Sequence, residues 1–396
     1  MKKETIDKAI KEFGTPCYIF DTDVFAKRVE AVKTAFGEKV GLCYSIKANP
    51  FLLRDLPDTF DHIEVCSPGE LRICENIGAD LGKIIFSGVN KTEEDVKRAF
   101  DDKVGIFTAE SKLHVKLIND CACAHSAKVG VILRLSHGSQ FGMSKEDLKE
   151  IIAHAEEFKG IEIIGLHYFT GTQKTRVKVI AKELAMLDEL CQELEAEFGF
   201  KAQHIEYGTG LAVEYYKDFT EETDLALLEE AGAVVREFGE KYPLTVEMGR
   251  FFAAESGTYV TKVMDIKQDG ELSYVICDGG INQLNYYGQN MAMKVPPVKV
   301  AGKEKAEDTA DYCLCGSLCT VADVLIRKVT LPKLETGDVV VFSRCGAYSV
   351  AEGIAAFLSR QMPMVAMYSE KKGLELVREL TETYPLNTPV KGGKRS

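Results

Sequence analysis

Eight short apolar runs alternate with amphipathic stretches between residues 40 and 250. In the stretch 176–198, apolar residues recur at steps of four and three, which places one stripe on a helix: Ile180, Leu184, Leu187, Cys191, Leu194 and Phe198. The runs themselves have strand length and cover residues 40–47, 62–67, 84–89, 104–109, 129–136, 163–170, 204–208 and 243–248. Eight such strand–helix units predict a (β/α)8 TIM barrel of the α/β class, with a doubly wound open sheet as the structural alternative.

The pattern changes after about residue 255, where strand-like runs follow one another without long helices. This is typical of an all-β domain, with candidate strands at 259–266, 273–277, 312–315, 324–331 and 339–343. Residues 296–311 are polar and predict a surface connection, and the tail 390–396 predicts disorder. A strand-like segment at 14–21 precedes a predicted helix at 23–36 and is a candidate to pair with the later strands. We therefore predict a barrel over residues 23–255 and a β-domain made of residues 1–22 and 256–396.

Composition narrows the possible partners and the compartment. The chain has 396 residues, a formal net charge of −12 and no basic cluster, which argues against binding of nucleic acid or anionic membranes. No apolar run approaches the ~20 residues needed to span a bilayer, and the N-terminus has no apolar secretory segment. The twelve cysteines are scattered without repeated C-x2-C spacing, which favours reduced thiols over a metal site. A cytoplasmic protein without a bound metal is the expectation.

Candidate chemistry lies where the predicted barrel strands end. Lys47 ends the first strand just before Asn49-Pro50, and a rigidly held amine there suits Schiff-base formation with an aldehyde cofactor, although most such lysines are merely solvated. Glu247-Met-Gly-Arg250 ends the eighth strand. Its Glu and Arg form either a structural ion pair or a binding site in which the carboxylate pairs with a pyridine nitrogen and the guanidinium binds a phosphate. Gly208-Thr-Gly210 is either a tight turn or a turn whose backbone N–H groups approach an anion.

Two further candidates lie in the predicted β-domain. Cys319, within Cys315-Gly-Ser-Leu-Cys319, is either a weak acid that moves a proton or a buried structural thiol. Tyr348 is either a donor to a phosphate oxygen or an aromatic residue at a sheet edge.

Over nearly its whole length the chain resembles the fold-type III pyridoxal-phosphate decarboxylases, the ornithine/diaminopimelate decarboxylase family. The motifs that carry this resemblance occur in the family's order: Tyr44-Ser-Ile-Lys-Ala-Asn49, Glu64-Val-Cys-Ser-Pro-Gly-Glu-Leu71, Ile85-Phe-Ser-Gly-Val-Asn-Lys91, Phe141-Gly142, Gly165-Leu-His-Tyr-Phe-Thr-Gly-Thr-Gln173, Glu247-Met-Gly-Arg250, Cys315-Gly-Ser-Leu-Cys319 and Gly346-Ala-Tyr348. The resemblance implies an alanine racemase-like architecture, pyridoxal 5′-phosphate as cofactor, and a homodimer whose active sites form at the subunit interface.

The resemblance also implies roles for individual residues. Lys47 carries the Schiff base, Glu247 pairs with the pyridine nitrogen, and Cys319 is supplied by the partner subunit and acts near the substrate α-carbon. The remaining cofactor contacts that it implies are His167, Phe169, Gly208, Thr209, Gly210, Gly249, Arg250 and Tyr348.

Departures from the family pattern concern the cofactor ring and the distal end of the substrate. Phe169 stands where the family has a stacking histidine, so this ring would have to stack instead, or His167 would have to assist. Thr320 replaces an acidic residue that binds a distal amine, which would forfeit about 1.5–3 kcal/mol, or roughly one or two powers of ten in specificity. Asn285-Tyr286 replaces Arg-Pro, and Phe357-Leu-Ser-Arg360 replaces Tyr-Asn-Ser-Arg. The candidate substrate contacts are Thr320, Asp323, Tyr286 and Arg360.

These motifs predict an amino-acid decarboxylase that acts on a diamino acid or a related derivative, as in lysine or polyamine biosynthesis. The isomer, and whether the substrate is free or conjugated, stay open. A racemase is the first alternative, but racemases of this architecture usually set an arginine against the ring nitrogen, whereas this chain has Glu247. A non-catalytic cofactor-binding protein is the second, but such proteins lack the β-domain.

Overall fold

The computed structural model describes residues 1–216, 221–270 and 272–390. Its α-helices are α1 (Lys3–Phe13), α2 (Thr22–Phe36), α3 (Pro68–Ile77), α4 (Glu93–Asp101), α5 (Lys112–Ala124), α6 (Lys145–Ala153), α7 (Val177–Phe198), α8 (Glu221–Lys241) and α9 (Arg250–Ala253). Its strands are β1 (Cys17–Asp21), β2 (Gly41–Ser45), β3 (His62–Val65), β4 (Ile84–Phe86), β5 (Ile106–Ala109), β6 (Val129–Arg134), β7 (Ile161–Tyr168), β8 (His204–Gly208), β9 (Leu244–Met248), β10 (Gly257–Asp269), β11 (Leu272–Cys277), β12 (Val298–Val300), β13 (Thr309–Cys315), β14 (Val324–Pro332), β15 (Val339–Ser343), β16 (Met364–Ser369) and β17 (Gly373–Arg378).

Strands β2 to β9 are parallel and close into a barrel in chain order. Cys43, Ile85 and Ile132 form a buried cluster, and they come from the alternate strands β2, β4 and β6, which is how barrel interiors are layered. The predicted fold class, a TIM barrel with a mostly β second domain, is confirmed.

The helices around the barrel begin where the sequence offers capping residues. Ser67, Thr92, Ser111 and Ser144 each accept a hydrogen bond from a backbone N–H of the first turn of α3, α4, α5 and α6. In α7 the predicted stripe is buried from Ile180 to Leu194, whereas Phe198 in the last turn is 37% exposed, contrary to expectation. These caps fix where each of the four helices begins. They therefore also fix the short connections at the carboxyl ends of the preceding strands, where the site residues lie.

The β-domain sheet contains nine strands in the order β14-β13-β11-β10-β1-β16-β17, with β15 paired to β10 and β12 paired to β15. Strand β1 pairs antiparallel with β10 and parallel with β16, so the N-terminal segment lies inside this sheet. One face of the sheet is buried under α1, around Ile6, Ala9, Ile19, Val260 and Val341. Strands β12, β16 and β17 were not predicted, and β12 interrupts the segment expected to be only a surface connection.

The described residues fall into two compact units: residues 26–213 with 221–252, and residues 1–25 with 214–216 and the described part of 253–390. Across the described ranges, no helix is both long and apolar enough to cross a membrane. The same residues include no group of three or more His, Cys, Asp or Glu side chains arranged to hold a metal ion. Except for Val390, the tail predicted to be disordered lies outside the described residues.

Candidate active site

Lys47 lies just beyond the carboxyl end of β2, in a single 3₁₀ turn, Ile46–Ala48, rather than in the strand itself. The turn is held because the Tyr44 hydroxyl donates to the Asn49 carbonyl oxygen at 2.8 Å and the Asn49 side chain accepts from the Phe51 N–H at 3.1 Å. Pro50 then starts the next 3₁₀ turn. The lysine stem is therefore held by a fixed turn, as a cofactor-binding amine requires.

Two buried carboxylates and a thiol surround the Lys47 amine. Nζ donates to Glu64, lies 3.2 Å from Glu247 Oε1, and lies 3.6 Å from Cys66 Sγ. The side chains of Glu64 and Glu247 are only 2% and 8% exposed, whereas that of Lys47 is 35% exposed. The amine is thus accessible from one side and charge-paired on the other.

Glu247 is the ionised carboxylate of this site. The Ser45 hydroxyl donates to its Oε1 at 2.7 Å, and His167 Nε2 donates to its Oε2 at 3.2 Å. Burial alone would raise the pKa of Glu247, but the charge of Lys47 and the hydrogen bond from His167 hold it well below its usual range. A fixed negative charge on a buried carboxylate can stabilise a cationic ring nitrogen.

The other two carboxyl groups inside the barrel are shifted towards their neutral forms. Burial and the charge of Glu247 raise the pKa of Glu64, although Lys47 opposes this shift. Burial, with the charges of Glu247 and Glu64, raises the pKa of Glu206 well above its usual value. Glu206 is fully buried next to the Cys43 thiol. Of these three carboxyl groups, Glu247 is therefore the one whose ionised form the site favours most.

The glycine turn after β8 has no room for side chains. A Cβ on Gly208 would lie 2.4 Å from the Phe169 ring, and one on Gly210 would lie 2.0 Å from the Gly171 carbonyl oxygen. Gly210 also has a left-handed φ of +62°. Backbone N–H groups at such a turn can approach an anion closely, as expected of a phosphate cup.

Arg250 and Gly249 follow β9 at the same end of the barrel. Arg250 is buried, and its Nε donates to Thr172 Oγ1 at 3.4 Å, which ties it to the loop after β7. A Cβ on Gly249 would lie 2.7 Å from Ala48 Cβ, so this glycine lets β9 pass close to the turn that carries Lys47. The guanidinium and the glycine turn together form a donor set that suits a phosphate dianion.

Phe169 and His167 occupy different positions at the end of β7. The Phe169 ring packs against Gly208, whereas His167 is buried and faces Glu247. His167 therefore positions the ionised carboxylate, which leaves Phe169 as the candidate for ring stacking.

A second charged cluster lies at the ends of β5 and β6. Arg134 Nη1 donates to Glu110 Oε1 at 3.2 Å, the Gly142 N–H donates to Glu110 Oε2 at 3.0 Å, and the guanidinium lies 4.8 Å from the Phe141 ring. Lys91 Nζ donates to the Gly88 carbonyl oxygen at 2.6 Å. Phe141 and Gly142, which form the Phe-Gly motif of the sequence, therefore contact the Arg134–Glu110 ion pair.

The sequence reasoning assigned no role to Glu64, Cys66, Glu206 or Thr172, all of which contact or electrostatically influence the candidate site. The available signal for Glu64 and Glu206 was a charged residue inside an otherwise apolar barrel strand.

The candidate residues of the β-domain lie around the loop after β13. Cys319 is exposed, and Arg360 Nη2 donates to the Ser317 carbonyl oxygen at 2.8 Å. Thr320 Oγ1 accepts from the Ala322 N–H at 3.3 Å. Cys319, Thr320 and Arg360 are therefore grouped at one exposed loop.

Asp323 and Tyr286 make local hydrogen bonds that the sequence did not indicate, and Tyr348 has an unusual backbone conformation. The Asp323 carboxylate is buried and accepts from the Ile281 and Leu318 N–H groups at 2.8 and 2.6 Å. The buried Tyr286 hydroxyl donates to the Ser343 carbonyl oxygen at 2.6 Å. These contacts give Asp323 and Tyr286 structural roles, and their contact with the substrate stays a prediction. Tyr348 has a left-handed φ of +67°, a strained conformation that is common at functional sites.

Comparisons with known proteins agree with this geometry. The sequence model of the family described as pyridoxal-dependent decarboxylase, pyridoxal binding domain, matches residues 22–254. The chain is 24% identical over 371 residues to diaminopimelate decarboxylase of Aquifex aeolicus, covering 88% of this chain and 85% of that protein. It is 26% identical over 402 residues to L-glutamyl-[BtrI acyl-carrier protein] decarboxylase of Niallia circulans, covering 93% and 92%. The crystal structure of diaminopimelate decarboxylase from M. jannaschii in complex with L-lysine superposes with a TM-score of 0.83 at 25% identity, covering 94% and 91%.

Proposed function

The chain belongs to the pyridoxal-dependent decarboxylase family and is a carboxy-lyase that uses pyridoxal 5′-phosphate, and we propose that Lys47 is the amine that bonds to the cofactor aldehyde. The observation that carries this proposal is the contact between the Lys47 amine and Glu247, a buried ionised carboxylate fixed by Ser45 and His167. A carboxylate at this position favours decarboxylation over racemisation.

The side chains present fit the cofactor. When bound, pyridoxal 5′-phosphate supplies the sink for the electron pair left by departing CO2. Glu247 would hold the ring nitrogen protonated, and Phe169 would cover one face of the ring. Gly208, Thr209, Gly210, Gly249 and Arg250 would bind the phosphate, and the resemblance implies that the Tyr348 hydroxyl would donate to it as well.

Cys319 is proposed to act near the substrate α-carbon of a partner subunit, in a homodimer with shared active sites. Exposed apolar side chains flank this loop: Val321 is 99% exposed and Met291 is 70% exposed. Both line one cavity of about 570 Å³ together with Ile354. An exposed apolar patch of this kind is typical of a protein–protein interface.

Mixing two inactive variants tests whether the active site is shared. Lys47→Ala and Cys319→Ala each remove a group proposed to come from a different subunit. After dissociation and equal mixing, roughly a quarter of wild-type activity should return, because half of the dimers are mixed and each has one intact site. No recovery in mixtures that exchange subunits would contradict a shared site.

The proposed substrate is an amino acid of the diamino acid type or a related derivative. This proposal rests on the family and on the loop residues Thr320 and Arg360, which the resemblance implies would contact the distal group of the substrate. The neutral Thr320 favours a distal group that is not a bare ammonium. A conjugated amino acid is the second candidate, because the similar protein of Niallia circulans is a decarboxylase of a glutamyl group on a carrier protein.

Incubation of the cofactor-loaded protein with L-, D- and meso-amino acids in heavy water, followed by mass spectrometry, tests the reaction and names the substrate. Loss of CO2 with one deuteron at the former α-carbon supports decarboxylation. Deuterium exchange without CO2 loss would indicate a racemase instead. Lys47→Ala is the control and should release no CO2, and a glutamyl thioester of a carrier protein tests the conjugated class.

A further inference from the structure

Two loops at the carboxyl end of the barrel are joined into one body. They are the loop 169–176 after β7 and the segment 208–213 after β8. The Lys174 N–H donates to the Gly210 carbonyl oxygen at 2.8 Å, and the Ala212 N–H donates to the Lys174 carbonyl oxygen at 3.1 Å. The Gln173 side chain also donates to the Val213 carbonyl oxygen at 2.9 Å and accepts from its N–H at 2.8 Å. Movement of either loop would disturb the other.

Glu183, in the second turn of α7, collects three hydrogen bonds beneath these loops. It accepts from Thr170 Oγ1 at 2.6 Å, from Lys174 Nζ at 2.7 Å and from the Tyr207 hydroxyl at 2.5 Å. Thr170 and Lys174 belong to the loop, and Tyr207 belongs to β8. One carboxylate therefore connects helix α7, strand β8 and the loop that precedes α7.

The charges of Lys174 and Glu183 stabilise each other because both side chains are largely buried. The side chains of Lys174 and Glu183 are 8% and 11% exposed. Burial lowers the pKa of Lys174 while the charge of Glu183 opposes that shift, and burial with the charge of Glu183 raises the pKa of Tyr207 well above its usual value. Removing the Glu183 charge would leave a buried ammonium without its counter-ion.

The position of Phe169 follows from this network. Phe169 precedes Thr170 in the chain, and its ring lies against Gly208, where a Cβ would be 2.4 Å away. Lys174 Nζ lies 6.0 Å from the Phe169 ring centroid and 5.7 Å from that of Tyr207. The ammonium held by Glu183 thus lies close to both rings and limits where Phe169 can lie.

We infer that Glu183 is a positioning residue of the cofactor site, which fixes Phe169 against Gly208 and keeps the two loops joined before the cofactor binds. The inference rests on the proposed function, in which Phe169 and the turn 208–210 contact the cofactor. Glu183 itself contacts neither Phe169 nor the turn 208–210. Its contribution is pre-organisation, which reduces the ordering cost that binding would otherwise incur.

Glu183→Gln tests the inference, because the amide keeps the shape but turns one acceptor oxygen into a donor that faces other donors. The matched control is Glu193→Gln on the same helix, where the carboxylate pairs with Lys145 and Lys149 at the surface. Titration of each protein with pyridoxal 5′-phosphate should give a Kd about tenfold higher for Glu183→Gln, with the control within about twofold. The visible circular dichroism of the bound cofactor should also change at saturation, since the ring environment is altered.

Hydrogen exchange of the cofactor-free proteins provides a readout that does not depend on the proposed function. Residues 169–176 should exchange faster in Glu183→Gln than in wild type and the control. Unchanged exchange together with an unchanged Kd would overturn the inference. Failure of the wild-type protein to bind pyridoxal 5′-phosphate would instead refute the proposed function, and the exchange data would still decide the role of Glu183.

If Glu183→Gln does not fold, Tyr207→Phe replaces it in the test. This variant removes one of the three hydrogen-bond donors to Glu183 and leaves the Lys174–Glu183 ion pair intact. We expect a Kd raised about two- to fivefold and intermediate exchange in the loop. Wild-type values for both quantities would also overturn the inference.

Discussion

Lys91→Met should stabilise the cofactor-free protein near neutral pH and destabilise it in alkali. Lys91 is buried beside the site, and burial lowers its pKa from 10.5 to about 8, although Glu110, Cys66 and Glu64 oppose this and Arg134 adds to it. One pKa unit corresponds to about 1.4 kcal/mol, so the charged amine costs the folded state on the order of 3 kcal/mol below pH 8. Methionine keeps most of the apolar stem and removes this cost.

The amine also makes a contact that methionine cannot make. Its hydrogen bond to the Gly88 carbonyl oxygen is 2.6 Å long, and losing it costs about 1–3 kcal/mol. Near pH 7 the two effects leave a net gain of about 0–2 kcal/mol for the variant. Above pH 8 the folded wild-type protein releases its proton before the unfolded chain does, so wild-type stability rises until pH 10.5. The variant should then be less stable by about 1–3 kcal/mol.

Urea unfolding followed by circular dichroism, at pH 7 and at about pH 10.5, measures this crossover. Other groups titrate in alkali in both proteins, so only the difference between them is interpreted. Lys128→Met is the control, because Lys128 is 61% exposed and its pair with Glu162 is at the surface. A difference between Lys91→Met and wild type that does not vary with pH would refute the reasoning.

Three further predictions concern the proposed reaction. Glu247→Gln should lower kcat for CO2 release by on the order of 10²–10³ at saturating cofactor, because the neutral amide cannot hold a protonated ring nitrogen; an unchanged kcat would contradict its role. Gly208→Ala should raise the cofactor Kd at least about tenfold, since its Cβ would meet the Phe169 ring at 2.4 Å, whereas Gly69→Ala, with 3.7 Å to its nearest atom, should bind normally. Thr320→Asp should raise kcat/KM for substrates with a distal amine by roughly 10–100-fold relative to those without one, as measured by competition between the two.

The barrel could be predicted from the sequence because its signals are repeated and local. Each buried strand is a short apolar run, and most of the helices between them carry an apolar stripe or a capping residue, so errors at single boundaries did not change the count. The later strands lack this repetition. Strand β16 is an isolated apolar run that periodicity cannot distinguish from a buried helical segment, and β12 has only three residues.

The site residues that belong to a recognisable motif could be predicted from the sequence. Those whose position depends on the pairing register of the barrel strands could not. Glu64 contacts Lys47 because it pairs with Ser45 in the barrel, and a slip of one residue would turn it outward. Asp323 shows the opposite case. Its sequence position suggested a ligand contact, but its carboxylate accepts two backbone N–H groups within its own unit. The sequence contains no signal that separates such a loop-stabilising carboxylate from one that faces a substrate.

The pKa shifts inside the barrel explain why Glu247, rather than Glu64 or Glu206, is suited to pair with the ring nitrogen. Three ionised carboxylates inside one barrel would repel each other strongly, and the cation in contact with Glu64 and Glu247 is Lys47. Burial raises the pKa values of Glu64 and Glu206, whereas the charge of Lys47 and the hydrogen bond from His167 outweigh burial at Glu247 and lower its pKa. In the proposed function the Lys47 amine would bond to the cofactor, and Glu247 would then pair with the protonated ring nitrogen. This pairing would favour the electron-accepting form of the ring.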